Sequence, residues 1–219
     1  MSDKESRVEH RGFCNTIELR EEGEDKLSIL SGIASPFGKE SEDMGFKEVV
    51  KRGAFKNALL RDDTVALFNH RADYVLGRVS NGKLRLREGT QGLKAEIDAP
   101  QSGFLKDMVV DKVADGSIRG MSIGFIVAEG GDEITKRKDG SILRTIHEVE
   151  ELIDVSVVTF PAYRDTKVAV RSIDAWLKQT SESNDTEEDA DKEDPKITPD
   201  AHSKIREREL NLKKNRMEI

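Results

Sequence analysis

The sequence predicts a mainly β fold with a few flanking helices, its sheet strongly curved or closed into a barrel. Two observations predict it. Short segments of alternating apolar and polar residues recur through the middle of the chain, as in Leu27-Ser28-Ile29 and Leu93-Lys94-Ala95-Glu96-Ile97. Turn signals stand between them, the strongest being Asn81-Gly82, a preferred two-residue hairpin connection.

The elements follow in order. Residues 1–26 read as a polar N-terminal segment with one apolar patch around Phe13 to Leu19. KLSILSGIAS is a half-buried strand, broken by Pro36 and Gly38. GAFKNALLRDD is a short helix with Phe55, Ala58 and Leu59 on one side. TVALFNH is an apolar strand ending in a polar pair, VLGRVSNGKLRLRE a hairpin, and GLKAEIDA a further strand. SGFLKDMVVDKVADG is the clearest helix, with Phe104, Leu105, Met108, Val109 and Val113 at helical spacing. Ser102 is its candidate N-cap and Gly116 its terminator. SIRGMSIGFIVAE is a strand, GGDEITKRKDG a charged turn region, and RTIHEVEELIDVSVV a long stretch rich in β-branched residues. A last short helix, RSIDAWLKQ, closes the predicted domain, residues 27–178. Residues 179–200 are acidic and nearly devoid of apolar side chains, the composition of a disordered linker, and 201–219 read as a charged helix or tail.

Composition removes several classes of function. A net charge of −7 argues against general nucleic-acid binding, which calls for a basic surface. No apolar run is long enough to span a bilayer, and MSDKESRVEH lacks the apolar stretch of a secretory signal. The one cysteine, Cys14, excludes an internal disulfide and offers no metal cluster, which suits a reducing, intracellular compartment. The chemistry expected of the chain needs no cofactor and no metal.

Three segments carry candidate chemistry. Gly120-Met121-Ser122-Ile123-Gly124 satisfies the G-x-S-x-G pattern of a serine nucleophile. The α/β-hydrolase version of that pattern needs a strand-to-helix turn, but FIVAE continues the strand after Gly124. On a strand, Met121, Ile123 and Phe125 face one way, and Ser122 faces the other between two glycines. That leaves either a hydroxyl that a peptide can reach or an inert serine in a closely packed strand. His70, in FNHRADYVLGRV, is the candidate general base, since imidazole changes charge near neutrality. Asp154 stands among Leu152, Ile153, Val155, Val157 and Val158, where a carboxylate requires a partner. An arginine would satisfy it, and so would an imidazole that it orients.

Together, NHRADYVLGRV, GMSIGF and LIDVSVVTFPAYRDT resemble the prohead (capsid-maturation) proteases of tailed bacteriophages over about residues 27–171. That family is similar in fold to assemblin, the herpesvirus maturation protease. The resemblance implies a herpesvirus-protease-like β fold in which His70 is the base, Ser122 the nucleophile and Asp154 the orienting acid. Many members carry glutamate where this chain has Asp154, so His147 and Glu148 remain alternatives for the third role. Oxyanion donors are expected around Ala162 to Arg164. The implied activity is that of a serine endopeptidase acting in the host cytoplasm, inside the immature capsid. Its implied substrates are scaffold segments, the capsid protein and its own C-terminal tail, with no nucleic acid or membrane partner. A homo-oligomer is an open alternative, with RSIDAWLKQ as candidate contact. Two other functions stay in view: a non-enzymatic capsid scaffold or assembly protein, and an α/β-hydrolase esterase.

Overall fold

The computed structural model describes residues 7–13, 17–22, 27–160, 169–170 and 173–177. The chain divides into two units, residues 1–173 and 174–219. Of the second, residues 174–177 are described and are helical. Among its described residues the first holds twelve strands: β1 Glu9–Phe13, β2 Ile17–Glu22, β3 Leu27–Pro36, β4 Lys47–Val50, β5 Val65–Phe68, β6 Arg71–Arg78, β7 Leu84–Glu88, β8 Gly92–Asp98, β9 Gly120–Val127, β10 Asp132–Lys136, β11 Ile142–Ile146 and β12 Val149–Val158. Helix α1 spans Lys56–Arg61, and a π-turn at Lys106–Val110 runs into α2, Asp111–Ala114.

The mainly β class is as expected, but the strands form three separate sheets rather than a closed barrel. Their orders are β1-β9-β12-β5-β6, β10-β11-β4 and β2-β3-β8-β7. The five-stranded sheet ends in two edges, β1 and β6, so its ladder does not return on itself. Its strands are antiparallel except for the β12–β5 pair, which is parallel.

Alternation explains the strands that the sequence marked. On β9, Met121, Ile123 and Phe125 are fully buried in the main apolar cluster. They pack there with Val155 and Val157 of β12, Leu30 of β3, and Leu93, Ala95 and Ile97 of β8. On α1, Ala58 is buried and Leu59 packs on the same cluster, with Phe55 just ahead of the helix also buried.

Three expectations are corrected. The Asn81-Gly82 turn forms, with Asn81 Oδ1 accepting from the backbone N–H groups of Arg78 and Lys83 at 3.1 Å each. Its two strands do not pair, however: β6 joins β5 in one sheet and β7 joins β8 in another, so the turn is a crossing between sheets. In the second helix the wider π-turn rotates the apolar stripe. Val109, Val110 and Val113 are buried, while Phe104 and Met108 are exposed. Ser102 makes no side-chain cap there, whereas Gly116, at φ +76°, ends α2 as expected. The charged region after Gly131 contains β10, an exposed strand held by β11. The polar N-terminal segment, for which the sequence suggested no element, supplies two strands, β1 and β2, to two sheets.

β1 is held by charge. Glu9 and Arg11 share the apolar face of the sheet with Phe125 and Ile123, and both are buried. Arg11 Nε donates to Glu48 Oε1 of β4 at 2.7 Å, and Arg144 of β11 donates to both Glu9 oxygens at 2.7 and 2.9 Å. Arg144 also reaches Glu48 and Asp132. This network ties the five-stranded sheet to the three-stranded one. Burial alone would raise the Glu9 carboxyl, but the Arg144 hydrogen bond and the charges of Arg11 and Arg144 outweigh it and hold its pKa below the usual carboxylate range. Glu9 therefore stabilises the fold above its unfolded pKa, about 4.3, and that stability is lost as the pH falls through its folded value. Arg144→Ala leaves two buried carboxylates, Glu9 and Glu48, sharing the single guanidinium of Arg11, and is expected to cost about 3–5 kcal/mol at neutral pH, read from urea unfolding.

Candidate active site

The polar face of the five-stranded sheet is built by register. Across β9 and β12, Ser122 lies beside Ser156 and Gly124 beside Asp154. Across β1 and β9, Gly12 lies beside Ser122 and His10 beside Gly124. Directly paired residues share a face, so all six project to the side opposite the apolar core. Asp154 reaches that side because of a β-bulge between Leu152 and Asp154, which leaves Ile153 unpaired. Leu152 thus keeps its core position against Phe125 while the carboxylate two residues later faces outward.

His70 arrives from the next strand. The chain leaves β5 through Asn69 and His70, both in the left-handed region at φ 54° and 57°. Asparagine tolerates this conformation; histidine pays for it. Four hydrogen bonds to β12 and its end hold the turn: Asn69 N to Val157 O at 2.9 Å, Thr159 N to Asn69 Oδ1 at 3.0 Å, Asn69 Nδ2 to Thr159 Oγ1 at 3.3 Å, and His70 N to Ser156 Oγ at 3.1 Å. The ring is thereby laid on the polar face.

There the three residues singled out in the sequence meet. His70 Nδ1 lies 2.7 Å from Asp154 Oδ1, and His70 Nε2 lies 2.7 Å from Ser122 Oγ. An ionised carboxylate can only accept, so Nδ1 carries the hydrogen and Nε2 presents its lone pair to the Ser122 hydroxyl. That is the tautomer a general base requires. Ser122 and Asp154 are almost fully buried, at 1% and 4% exposure. The low-dielectric setting strengthens both contacts.

Two residues of the site were not identified in the sequence. Ser156, fully buried, donates to Asp154 Oδ1 at 2.6 Å while accepting from the His70 backbone. It steadies the carboxylate and the turn at once. Its two-residue spacing from Asp154 was the available signal, since that spacing returns to the same face. His10 is the other. Its ring meets that of His70 edge-on, with centroids 4.3 Å apart. One metal-ligating atom of each of His10, His70 and Asp154 lies within 4.8 Å of the others, but His70 Nδ1 and Asp154 Oδ1 are engaged with each other.

The second glycine of G-x-S-x-G has a definite task. A Cβ at Gly124 would stand 2.2 Å from Asp154 Oδ2 and 3.2 Å from His10 Nε2. Glycine opens the space that the carboxylate fills. The residues considered as alternatives for the third role are occupied elsewhere. His147 lies 3.5 Å from Glu133, and Glu148 accepts from Asn57 at 2.7 Å. The residues expected to supply oxyanion donors, Ala162 to Arg164, lie outside the described residues, as do Cys14 and the C-terminal segments 179–200 and 201–219.

A hydroxyl, an imidazole and a carboxylate in series form the constellation of the serine hydrolases. The esterase arrangement of that class is absent, because β9 continues as a strand to Val127 and both its neighbours are antiparallel. The chain belongs to the Caudovirus prohead serine protease family, whose model matches residues 15–179. No curated protein and no solved structure matches it. Family membership makes the protein a serine peptidase by class, with a role in capsid maturation.

Two substitutions probe this geometry. Gly124→Ala forces Asp154 aside and is expected to destabilise the sheet by about 1–3 kcal/mol and to break the His70 contact. Ser156→Ala removes a hydrogen bond to a buried charge and is expected to slow labelling of Ser122 by a fluorophosphonate about tenfold.

Proposed function

We propose that the protein is an endopeptidase in which Ser122 is the nucleophile, His70 the general base and Asp154 the residue that orients and stabilises the imidazole. The observation that carries this reading is the pair of 2.7 Å contacts placing His70 between the other two. Ser122 Oγ attacks a peptide carbonyl as its proton passes to His70 Nε2. The tetrahedral intermediate collapses, the C–N bond breaks, and the imidazolium returns the proton to the leaving amine. Water then attacks the acyl-enzyme, His70 takes its proton, and the Ser122 hydroxyl is restored. Asp154 stays ionised throughout, and its hydrogen bond favours the imidazolium formed in each step.

The substrates proposed are scaffold segments and capsid protein inside the immature shell, in the host cytoplasm, together with the chain's own C-terminal tail. The family supplies the setting. The acidic composition of residues 179–200, nearly devoid of apolar side chains, supports a cut in that segment. We place the protease domain at 27–178, with β1 and β2 added to its sheets from the preceding segment.

Coexpression with the cognate capsid protein tests the reading. The native chain is expected to shorten the capsid protein or itself, as read by mass spectrometry, and Ser122→Ala to leave both intact. Uncut proteins with the native chain would favour a scaffolding role instead. Asp154→Asn is expected to lower kcat by about 10⁴-fold with the fold preserved, because the amide favours the wrong imidazole tautomer.

A further inference from the structure

We propose that Asp62 and Thr64 are positioning residues for Asp154. From the connection between α1 and β5 they grip the backbone of Leu152, and so fix the bulge that delivers the carboxylate to His70. The inference rests on the reading of Ser122, His70 and Asp154 as a catalytic set. It adds two side chains that act through β12 rather than on the reacting atoms.

β12 departs from regular pairing with β9 twice, between Val149 and Glu151 and again between Leu152 and Asp154. Leu152 stands between the two irregularities, its side chain buried beside Phe125. On its other flank β12 has β5 as a parallel neighbour, but that ladder opens only at Asp154, opposite Val65. Just upstream, side chains stand in for a strand. Asp62 Oδ2 accepts from the Leu152 N–H at 2.8 Å, and Thr64 Oγ1 donates to the Leu152 carbonyl at 2.8 Å. The Arg61 guanidinium donates to Asp62 Oδ1 at 2.8 Å and to the carbonyl of Glu150, the residue passed over at the first irregularity.

The grip has a firm base. Asp62 closes α1, its own N–H donating to Ala58 O at 2.8 Å, and Phe55 and Ala58 are fully buried in the core. Thr64 is itself only 2% exposed. The same segment then runs through β5 to Asn69 and His70, whose backbone N–H groups donate to Val157 O and Ser156 Oγ. Residues 62–70 thus hold β12 near both ends of the stretch 152–157 and present the imidazole from their far end. Base and acid are set against one template.

A buried backbone group left without a partner is costly, and a bulge is where a strand can slip by one residue and exchange its faces. Loss of either hydrogen bond releases Leu152, and with it the carboxylate two residues on. A displaced Asp154 deprives His70 of the acceptor that selects its tautomer. The loss falls on the chemical step and spares substrate binding.

Two readouts test this: the His70 Nδ1 proton, by NMR on the Ser122→Ala protein, and the maximal rate at which a fluorophosphonate labels Ser122 in the active chain. Thr64→Val keeps the shape of the side chain and removes its hydroxyl; Asp62→Ala removes the acceptor. Each is expected to move the Nδ1 proton signal upfield and speed its exchange with water. Each should also lower the maximal labelling rate about tenfold, with the half-saturating reagent concentration unchanged. Thr64→Ser and Asp62→Asn, which retain the hydroxyl and a carbonyl oxygen, should restore both readouts. Leu84→Ala, a cavity in the core beneath β7, should lower Tm and leave both readouts native. If Thr64→Val does not fold, Asp62→Ala, at a part-exposed position, decides alone. A lowered Tm with the native Nδ1 signal and labelling rate would reduce the two residues to stabilisers of the fold and overturn the proposal. A Nδ1 signal that responds to these variants, in a protein whose native chain is neither labelled nor cleaves capsid protein, would uphold the positioning and overturn the proteolytic reading instead.

Discussion

The antiparallel register of β9 against β12 is the constraint on which the rest depends. It places Ser122 beside Ser156 and Gly124 beside Asp154, and it does so only because β12 is bulged at Ile153. A regular strand carrying Leu152 into the core would send Asp154 after it, into the layer that holds Ile123 and Phe125. The unpaired residue changes the phase of the strand once, so that an apolar stretch can deliver one carboxylate to the opposite face. A glycine at the facing position then accepts its bulk. Bulge and glycine act as a pair, since neither alone would accommodate the acid.

The five-stranded sheet thus has two faces with different physics. One is apolar and buried, and carries at its β1 margin a set of guanidinium–carboxylate pairs that satisfy one another away from water. Such pairs add little net stability compared with apolar packing, but they are intolerant of mispairing and so specify which strands lie together. The other face is a line of short hydrogen bonds from Ser122 through His70 to Asp154 and Ser156. His70 holds its place through a left-handed backbone that an isolated chain would avoid, and hydrogen bonds to β12 offset that cost. The strain is located where the imidazole must be aimed.

The sequence was most legible where burial was one-sided. β3, β8 and β9 alternate visibly because one face of each packs on the common core, and Ser122 on β9, His70 just after β5 and Asp154 on β12 stood out by residue type among apolar neighbours. β1 was invisible for the opposite reason. Its inward residues are Glu9 and Arg11, which read as solvated unless their partners are known: Glu48, 37 residues from Arg11, and Arg144, 135 residues from Glu9. β10 was taken for a turn because both of its faces are largely exposed, leaving no apolar period to detect. Asn81-Gly82 fixed a turn but not its partners: a local signal sets local geometry, and sheet membership is decided by long-range packing. The phase change at Ile153 and the displacement of Phe104 and Met108 by the π-turn both depend on backbone irregularities that residue spacing does not encode.

The central place of β12 has a consequence for the order of events during synthesis. Asp154 is 84 residues beyond His70, and β12 must insert between β9 and β5, both made earlier. A nascent chain that has exposed the Ser122 and His70 segments still lacks the strand that joins them, and the turn at Asn69-His70 has nothing to hold it. The three side chains therefore cannot meet until β12 has been made, a delay written into the strand order.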